Sequence, residues 1–168
     1  MEIERKWEIA GFPAGLPETD RAWMAQGYLT TAPTVRIRSE RRAAGTDYIL
    51  CIKGRGTLAR EEIETPLTAA VFARIAALIA VPLVQKEYRA YRLPDGHRLE
   101  VARVNPGESD EFYYAEVEFD SVAAAEAFAA PALLGRELTQ VPGSSMGALW
   151  ERRAALWRAA HGGGEETR

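Results

Sequence analysis

The chain has 168 residues, 47% of them hydrophobic and 27% charged, which is the composition of one globular domain and excludes a disordered or fibrous protein. Its 21 basic and 24 acidic residues leave a net charge of -3, so the charge balance gives no reason to expect a nucleic acid as partner. The single cysteine, Cys51, excludes an internal disulfide framework and a cysteine-based zinc site.

The first residues lack the features of a secretory signal. Glu2 and Glu4 stand where such a signal needs basic residues and then an apolar run, and no apolar segment approaches membrane-spanning length. We therefore expect a cytoplasmic protein that does not associate with membranes.

The first predicted element is a strand in the opening segment, MEIERKWEIAG. Alternate side chains of a strand share a face, so Glu2, Glu4 and Lys6 lie together on one side. The opposite face carries Ile3, Trp7 and Ile9. Taken alone, this alternation is most simply explained by a solvated edge strand.

The same alternation recurs further along the chain. The segments TVRIRSE and DYILCIKG, joined by the turn-prone RAAGTD, are predicted to form a hairpin. Arg36 and Arg38 share one face of its first strand, and Lys53 ends the second. The segments GFPAGLPE and TLAR are predicted to be loops. Another strand follows in AREEIETPL, and its charged face carries Arg60, Glu62 and Glu64.

A helix is predicted next, in TAAVFARIAALIA, with Thr68 as N-cap and Pro82 just beyond its end. Two strands follow in VQKEYRAYRLPDGHRLEVARV, around a turn at residues 94–96. Their charged residues include Lys86, Arg98 and Glu100.

The last predicted strand is FYYAEVEFD, and two helices follow it. The strand's acidic face carries Glu116, Glu118 and Asp120. Ser121 is expected to cap the helix SVAAAEAFAAPALLG, and Pro131 to end it. In the final helix, MGALWERRAALWRAA, the residues expected to face inward are Leu149, Trp150, Leu156 and Trp157. We predict one domain over residues 1–160 and a flexible polar tail over residues 161–168.

The charged strand faces decide the predicted fold class. An antiparallel sheet with helices on one side accounts for the alternation, but the polar side is unusually rich in acidic pairs and basic residues. If the sheet closes into a barrel, these charges line a tunnel. We therefore predict an α+β fold, a closed antiparallel β-barrel with covering helices. Its carboxylate pairs suit Mg²⁺ or Mn²⁺, and its Arg and Lys side chains suit phosphate oxygens.

Several segments resemble a known family in order and spacing. The opening EIERK resembles the ExExK signature of the CYTH superfamily, the triphosphate tunnel metalloenzymes, which includes tripolyphosphatases, thiamine triphosphatases and class IV adenylate cyclases. The later segments that agree are QGYLT, VRIR, YILCIKG, AREEIE, the QK of VQKEY, LPDG and AEVEF. The resemblance covers residues 1–120 well and the remainder loosely.

The resemblance implies a role for each charged group. The implied metal ligands are Glu2, Glu4, Glu116 and Glu118. The implied substrate-binding residues are Lys6, Arg36, Arg38, Lys53, Arg60 and Lys86. Glu62, Glu64 and Glu100 are further tunnel carboxylates. Lys53 and Glu4 are the implied catalytic residues, with Lys53 either donating charge to the leaving group or positioning the water.

The chain departs from the family pattern at three places. The usual Lys-x-Arg after the middle helix has Tyr88 in place of arginine, unless Arg89 substitutes from the other face of the strand. Ala102 replaces the second carboxylate of an acidic pair. The segment VPGSSMG, residues 141–147, replaces a basic, tyrosine-containing stretch. These differences suggest a substrate with less phosphate charge or with a bulky organic part.

Three functions stay open at this point. The first is metal-dependent hydrolysis of the terminal phosphoryl group of inorganic triphosphate or of an organic triphosphate. The second is class IV adenylate cyclase activity, which ranks lower because no base-recognition signature is present. The third is a non-catalytic module that binds polyphosphate or a nucleotide. The expected partner is a phosphorylated small molecule, and a homodimer is one option for the oligomeric state. Cys51 is expected to be buried rather than nucleophilic.

Overall fold

The computed structural model describes residues 1–162, in which nine β-strands and three α-helices are present. The strands are β1 (Glu2–Glu8), β2 (Glu18–Thr31), β3 (Thr34–Arg42), β4 (Gly45–Lys53), β5 (Ala59–Arg60), β6 (Glu62–Pro66), β7 (Val84–Arg92), β8 (Arg98–Val104) and β9 (Phe112–Glu118). The helices are α1 (Ala69–Ile79), α2 (Val122–Ala127) and α3 (Met146–His161).

All strands belong to one antiparallel sheet in the order β5-β1-β9-β8-β7-β2-β3-β4-β6. Its two terminal strands, β5 and β6, are separated along the chain by Glu61 alone. Arg60 of β5 pairs with Glu2 of β1, whereas Glu62 of β6 pairs with Lys53 of β4. The chain therefore joins the two edges of the sheet, and the strands form a nearly closed barrel. The predicted fold class is confirmed.

The longest strand, β2, is not among the strands predicted from the sequence. Its residues Met24 and Tyr28 face the barrel interior, as the charged residues of neighbouring strands do. Because this inner face is apolar or uncharged, it does not repeat the charged alternation that identified the other strands. The segment TLAR, predicted to be a loop, includes the two residues of β5.

Helices α1 and α2 begin at their predicted caps, and α3 begins at Ser145, which was not predicted as a cap. The side chains of Thr68, Ser121 and Ser145 accept hydrogen bonds from backbone N–H groups in the first turns of α1, α2 and α3, respectively. Helix α2 ends at Ala127, four residues before Pro131, so the proline does not terminate it. No helix in residues 1–162 is long and apolar enough to cross a membrane.

Helix α3 packs at one end of the barrel. Its buried residues Met146 and Trp150 form a cluster with Tyr28, Val84 and Tyr114 of the strands. The prediction that Leu156 faces inward is wrong, because 74% of its surface is exposed. The helix runs to His161, and residues 163–168 of the predicted tail lie outside the described residues, so the tail stays a prediction.

A second apolar core covers the outer face of the sheet. Trp7 of β1, which alternates with the charged Lys6, packs on Phe128 beyond α2 with ring centroids 5.7 Å apart. Leu99, Val101 and Val117 fill the same cluster. One face of β1, β8 and β9 thus holds the core, and the other is free to carry charge.

Candidate active site

A cavity of about 1760 Å³ lies inside the barrel. It brings together every charged residue that the sequence assigned to the tunnel: Glu2, Glu4, Lys6, Arg36, Arg38, Lys53, Arg60, Glu62, Glu64, Lys86, Glu100, Glu116 and Glu118. Period-two alternation on eight antiparallel strands explains this convergence, because one face of each strand points into the barrel.

Three carboxylates meet at one point of the wall. Oxygen atoms of Glu2, Glu4 and Glu118 lie within 4.8 Å of one another, and Glu4 pairs with Glu118 in the register of β1 and β9. The fourth predicted metal ligand, Glu116, is engaged elsewhere, with its Oε1 3.2 Å from Nζ of Lys6. The donor set is all oxygen, which fits a hard divalent cation such as Mg²⁺ or Mn²⁺.

The crowding of these carboxylates affects their ionisation. Burial, together with the carboxylates of Glu116 and Glu2, raises the pKa of Glu4 to about 8. Burial and neighbouring acidic groups, Glu100 first among them, also raise the pKa of Glu118. The charges of Lys53 and Arg60 lower the pKa of Glu4 only in part, so a further positive charge beside Glu4 would favour its ionised form.

Two basic side chains bind these carboxylates directly. Arg60 donates from Nε to Glu2 at 2.7 Å and from Nη2 to Glu4 at 2.6 Å, so one guanidinium bridges both carboxylates. Lys53 donates from Nζ to Glu2 at 2.6 Å and lies 3.2 Å from Glu62. Burial opposes ionisation of Glu62, but the Cys51 hydrogen bond and the Lys53 charge lower its pKa to about 2.

A group of cations lies deeper, towards α3. Lys86 is 5% exposed, and its Nζ donates to the hydroxyl of Tyr114 at 3.1 Å. The ammonium of Lys6 sits 3.7 Å from the centroid of the same ring. Burial and the charges of Arg36 and Arg38 hold the pKa of Lys86 well below its usual range. An anion in this pocket would relieve that repulsion.

Unsatisfied polar groups mark the same pocket. Within residues 1–162, Nε of Arg36 and Oε1 of Gln26 are buried and lack hydrogen-bond partners. Buried polar atoms are rarely left unpaired in proteins, so these groups point to a polar ligand or to water. Gln26 does not itself line the cavity, but its Nε2 donates a hydrogen bond to the hydroxyl of Tyr28, which does.

Two further charged residues of β3 line the cavity but were not predicted. Arg42 donates from Nη1 to Glu40 at 2.7 Å, and Nε of Arg38 lies 2.6 Å from the other oxygen of Glu40. The alternation that identified Arg36 and Arg38 continues through Glu40 to Arg42, so the signal for both residues is present in TVRIRSERR.

The structure places the predicted departures from the family pattern on the cavity wall. Tyr88 and Ala102 pair across β7 and β8, and both line the cavity. The hydroxyl of Tyr88 accepts a hydrogen bond of 2.8 Å from Nη2 of Arg98. Arg89 does not substitute for the missing arginine, since it binds Glu87 and lies over the ring of Phe12. The loop of residues 141–147 also lines the cavity.

Cys51 is buried, as expected. Its thiol donates a hydrogen bond of 3.0 Å to Glu62, and burial raises the pKa of the thiol to about 11. A thiolate is therefore disfavoured at neutral pH, which argues against a nucleophilic role.

Comparisons with known proteins agree with this geometry. No family model matches the chain. An inorganic triphosphatase of Nitrosomonas europaea is 37% identical over 139 residues, which are 83% of this chain and 89% of the relative. The crystal structure of the inorganic triphosphatase NE1496 matches with a TM-score of 0.62 at 32% identity, covering 89% of this chain and 93% of that chain. The PH1819 protein of Pyrococcus horikoshii OT3 shares the fold, with a TM-score of 0.60 at 16% identity over 91% of this chain and 100% of its own.

Proposed function

This chain belongs to the CYTH superfamily of triphosphate tunnel metalloenzymes, and we propose that it hydrolyses inorganic triphosphate or an organic triphosphate with the help of a divalent metal ion. One observation carries the proposal: a single cavity holds a carboxylate cluster of Glu2, Glu4 and Glu118 beside a wall of buried cations. The name of the 37% identical relative favours inorganic triphosphate as the first substrate to test.

The basic residues bind and orient the substrate. Triphosphate is a highly charged anion, and a site that replaces its water shell must supply several positive charges. Arg36 and Arg38 offer planar two-pronged donors, whereas Lys6 and Lys86 act as point charges. The unpaired Nε of Arg36 is free to donate to a phosphate oxygen.

Glu2, Glu4 and Glu118 would hold the metal ion, Mg²⁺ or Mn²⁺. When bound, it neutralises charge on the phosphoryl oxygens. Glu116 is not among the proposed ligands, since its carboxylate lies against Lys6. Burial opposes the ionisation of Glu116, but the charges of Lys6 and Lys86 lower its pKa. Its role is to hold the Lys6 ammonium in place for the substrate.

Hydrolysis is an in-line displacement at the terminal phosphorus atom. The oxygen of a water molecule forms the new bond, the bridging P–O bond breaks, and its electron pair leaves with the diphosphate. Lys53 stabilises the charge that develops on the leaving group. Glu4 orients the attacking water and holds the metal. The water proton passes to a carboxylate and then to solvent.

A phosphate-release panel tests the proposal. The purified chain is incubated with inorganic triphosphate, thiamine triphosphate, long-chain polyphosphate or ATP, in Mg²⁺ or Mn²⁺, and the ATP reactions are also assayed for cyclic AMP. Metal-dependent release of phosphate from inorganic triphosphate is the expected result. Tight binding of triphosphate without phosphate release would indicate a binding module and not an enzyme. Formation of cyclic AMP would indicate a cyclase and not a hydrolase.

The cellular location is part of the same proposal. We propose the cytoplasm, because the buried free thiol of Cys51 is compatible with a reducing compartment.

A further inference from the structure

Arg60 occupies the carboxylates that the metal needs. Its Nε and Nη2 bind Glu2 and Glu4 at 2.7 and 2.6 Å, and only about a fifth of its side chain is exposed. A bidentate guanidinium with two carboxylates is among the strongest ion pairs that side chains form. The two glutamates are themselves largely buried, so they cannot turn to water when this contact breaks.

Glu118 is the member of the cluster that stays available. Among residues 1–162 it forms no ion pair, while its donor oxygen lies within 4.8 Å of those of Glu2 and Glu4. A divalent cation approaching this corner would meet one free carboxylate and two that already hold a cation. If it binds the oxygens that Arg60 now holds, Oε2 of Glu2 and Oε1 of Glu4, it takes the place of the guanidinium.

The fold gives Arg60 room to leave. It ends the two-residue strand β5, and the neighbouring segment 54–57 lines the cavity. The anchor of β5 to the barrel is made by backbone pairing with β1, which does not depend on the Arg60 side chain. The Arg60 side chain can therefore rotate into the cavity without breaking the backbone hydrogen bonds between β5 and β1.

We propose that Arg60 is a built-in counter-ion that holds Glu2 and Glu4 in the metal-free protein, and that metal binding displaces it into the cavity. This inference rests on the proposed function, because it concerns the metal site of the same reaction. The guanidinium holds two buried carboxylates in position, so the site is preorganised before the metal arrives. The metal ion must compete with Arg60 for the two carboxylates, so the affinity of the site for the metal is lower than it would be without Arg60.

Mn²⁺ affinity separates displacement from simple repulsion. Arg60→Lys keeps the positive charge, but one ammonium cannot reproduce the bidentate bridge. If Arg60 must be displaced, Mn²⁺ alone should bind Arg60→Lys about 5-fold more tightly or better than the wild type, and Arg60→Gln more tightly still. Isothermal titration calorimetry and electron paramagnetic resonance of free Mn²⁺ measure these affinities. Equal or weaker Mn²⁺ binding in Arg60→Lys would overturn the proposal.

Arg38→Lys is the matched control. Arg38 is another cavity arginine with two carboxylate partners, Glu40 and Glu64, but it does not touch Glu2 or Glu4. Its replacement should change the Mn²⁺ affinity by less than about 2-fold, because it leaves the metal carboxylates as they are. A change as large as that in Arg60→Lys would mean that the cavity responds to net charge and not to displacement.

A spectroscopic readout keeps the test independent of variant folding. In the wild type, Mg²⁺ should shift the ¹⁵Nε–¹Hε resonance of Arg60, assigned by triple-resonance experiments, and leave that of Arg42 unchanged. An unmoved Arg60 signal at saturating Mg²⁺ would overturn the proposal. Phosphate release is measured separately: a wild type that hydrolyses triphosphate without these changes refutes displacement alone, and one that shows them without hydrolysis refutes the triphosphatase alone.

Discussion

Single residues in the cavity are held by partners of opposite charge. Lys53 contacts Glu2 and Glu62, and Lys6 contacts Glu116, so each basic group is fixed before any phosphate arrives. Fixed charges act strongly on a transition state, because they need no reorganisation when charge moves during the reaction. The contribution of each charged residue to catalysis therefore depends on the position in which its charge is held.

Lys53 provides the test at this scale. Lys53→Met keeps much of the side-chain length and removes the charge that, in the proposed mechanism, stabilises the leaving diphosphate. We expect the rate of phosphate release to fall roughly 30- to 1000-fold, which corresponds to about 2–4 kcal/mol of transition-state stabilisation. Steady-state assays should show a larger loss in kcat than in triphosphate affinity.

A surface cation is the control for this change. Arg74 lies exposed on α1, away from the cavity, so Arg74→Met should leave the rate within about 2-fold of the wild type. If Lys53→Met weakened triphosphate binding as much as it lowered kcat, Lys53 would be a ground-state ligand and not a group that acts on the leaving diphosphate.

Secondary-structure elements differ in how well the sequence predicts them. Strands with a charged inner face, such as β1, β3 and β9, are visible because charge alternates with apolar residues. Strand β2 escapes the same reasoning, since Met24 and Tyr28 face the interior as apolar residues do in any core. The cavity residues of β2 depend on tertiary packing that no strand pattern contains. The same holds for Glu116, which contacts Lys6 and does not join the carboxylate cluster.

Helix α3 illustrates the same limit and gives a prediction. The periodicity groups Trp150 with Leu156, but Trp150 is 4% exposed and lies 5.7 Å from the ring of Tyr28, whereas Leu156 is mostly exposed. Trp150→Ala should lower the free energy of unfolding by about 3–5 kcal/mol, because it leaves a cavity between α3 and the barrel. Denaturant titration followed by circular dichroism measures the loss.

Leu156→Ala serves as its control on the same helix. An exposed leucine buries little surface, so its replacement should change the free energy of unfolding by about 0.5 kcal/mol or less. Similar losses in both variants would show that α3 turns a different face to the barrel from the one described.

At the scale of the whole molecule, the barrel encloses a charged cavity, and the main apolar clusters lie around it. The chain itself links β5 to β6, so the barrel leaves few unpaired edges, and the apolar core lies outside the sheet and at the end covered by α3. The interior therefore contributes little hydrophobic stabilisation, and its like charges oppose folding. Ligands that neutralise these charges should stabilise the entire fold, since they bind the closed barrel and not the unfolded chain.

Divalent metal should consequently raise the melting temperature. At a metal concentration of 100 times the dissociation constant, binding adds about 2.7 kcal/mol, which for a domain of this size corresponds to roughly 5–11 °C. Differential scanning fluorimetry with Mn²⁺ or Mg²⁺ should show this rise in the wild type and much less of it in Glu4→Ala or Glu118→Ala. Glu61→Gln, which alters an exposed carboxylate outside the cluster, should respond as the wild type does. An equal rise in all four proteins would place the metal away from Glu4 and Glu118, because a ligand stabilises the fold only through the groups that bind it.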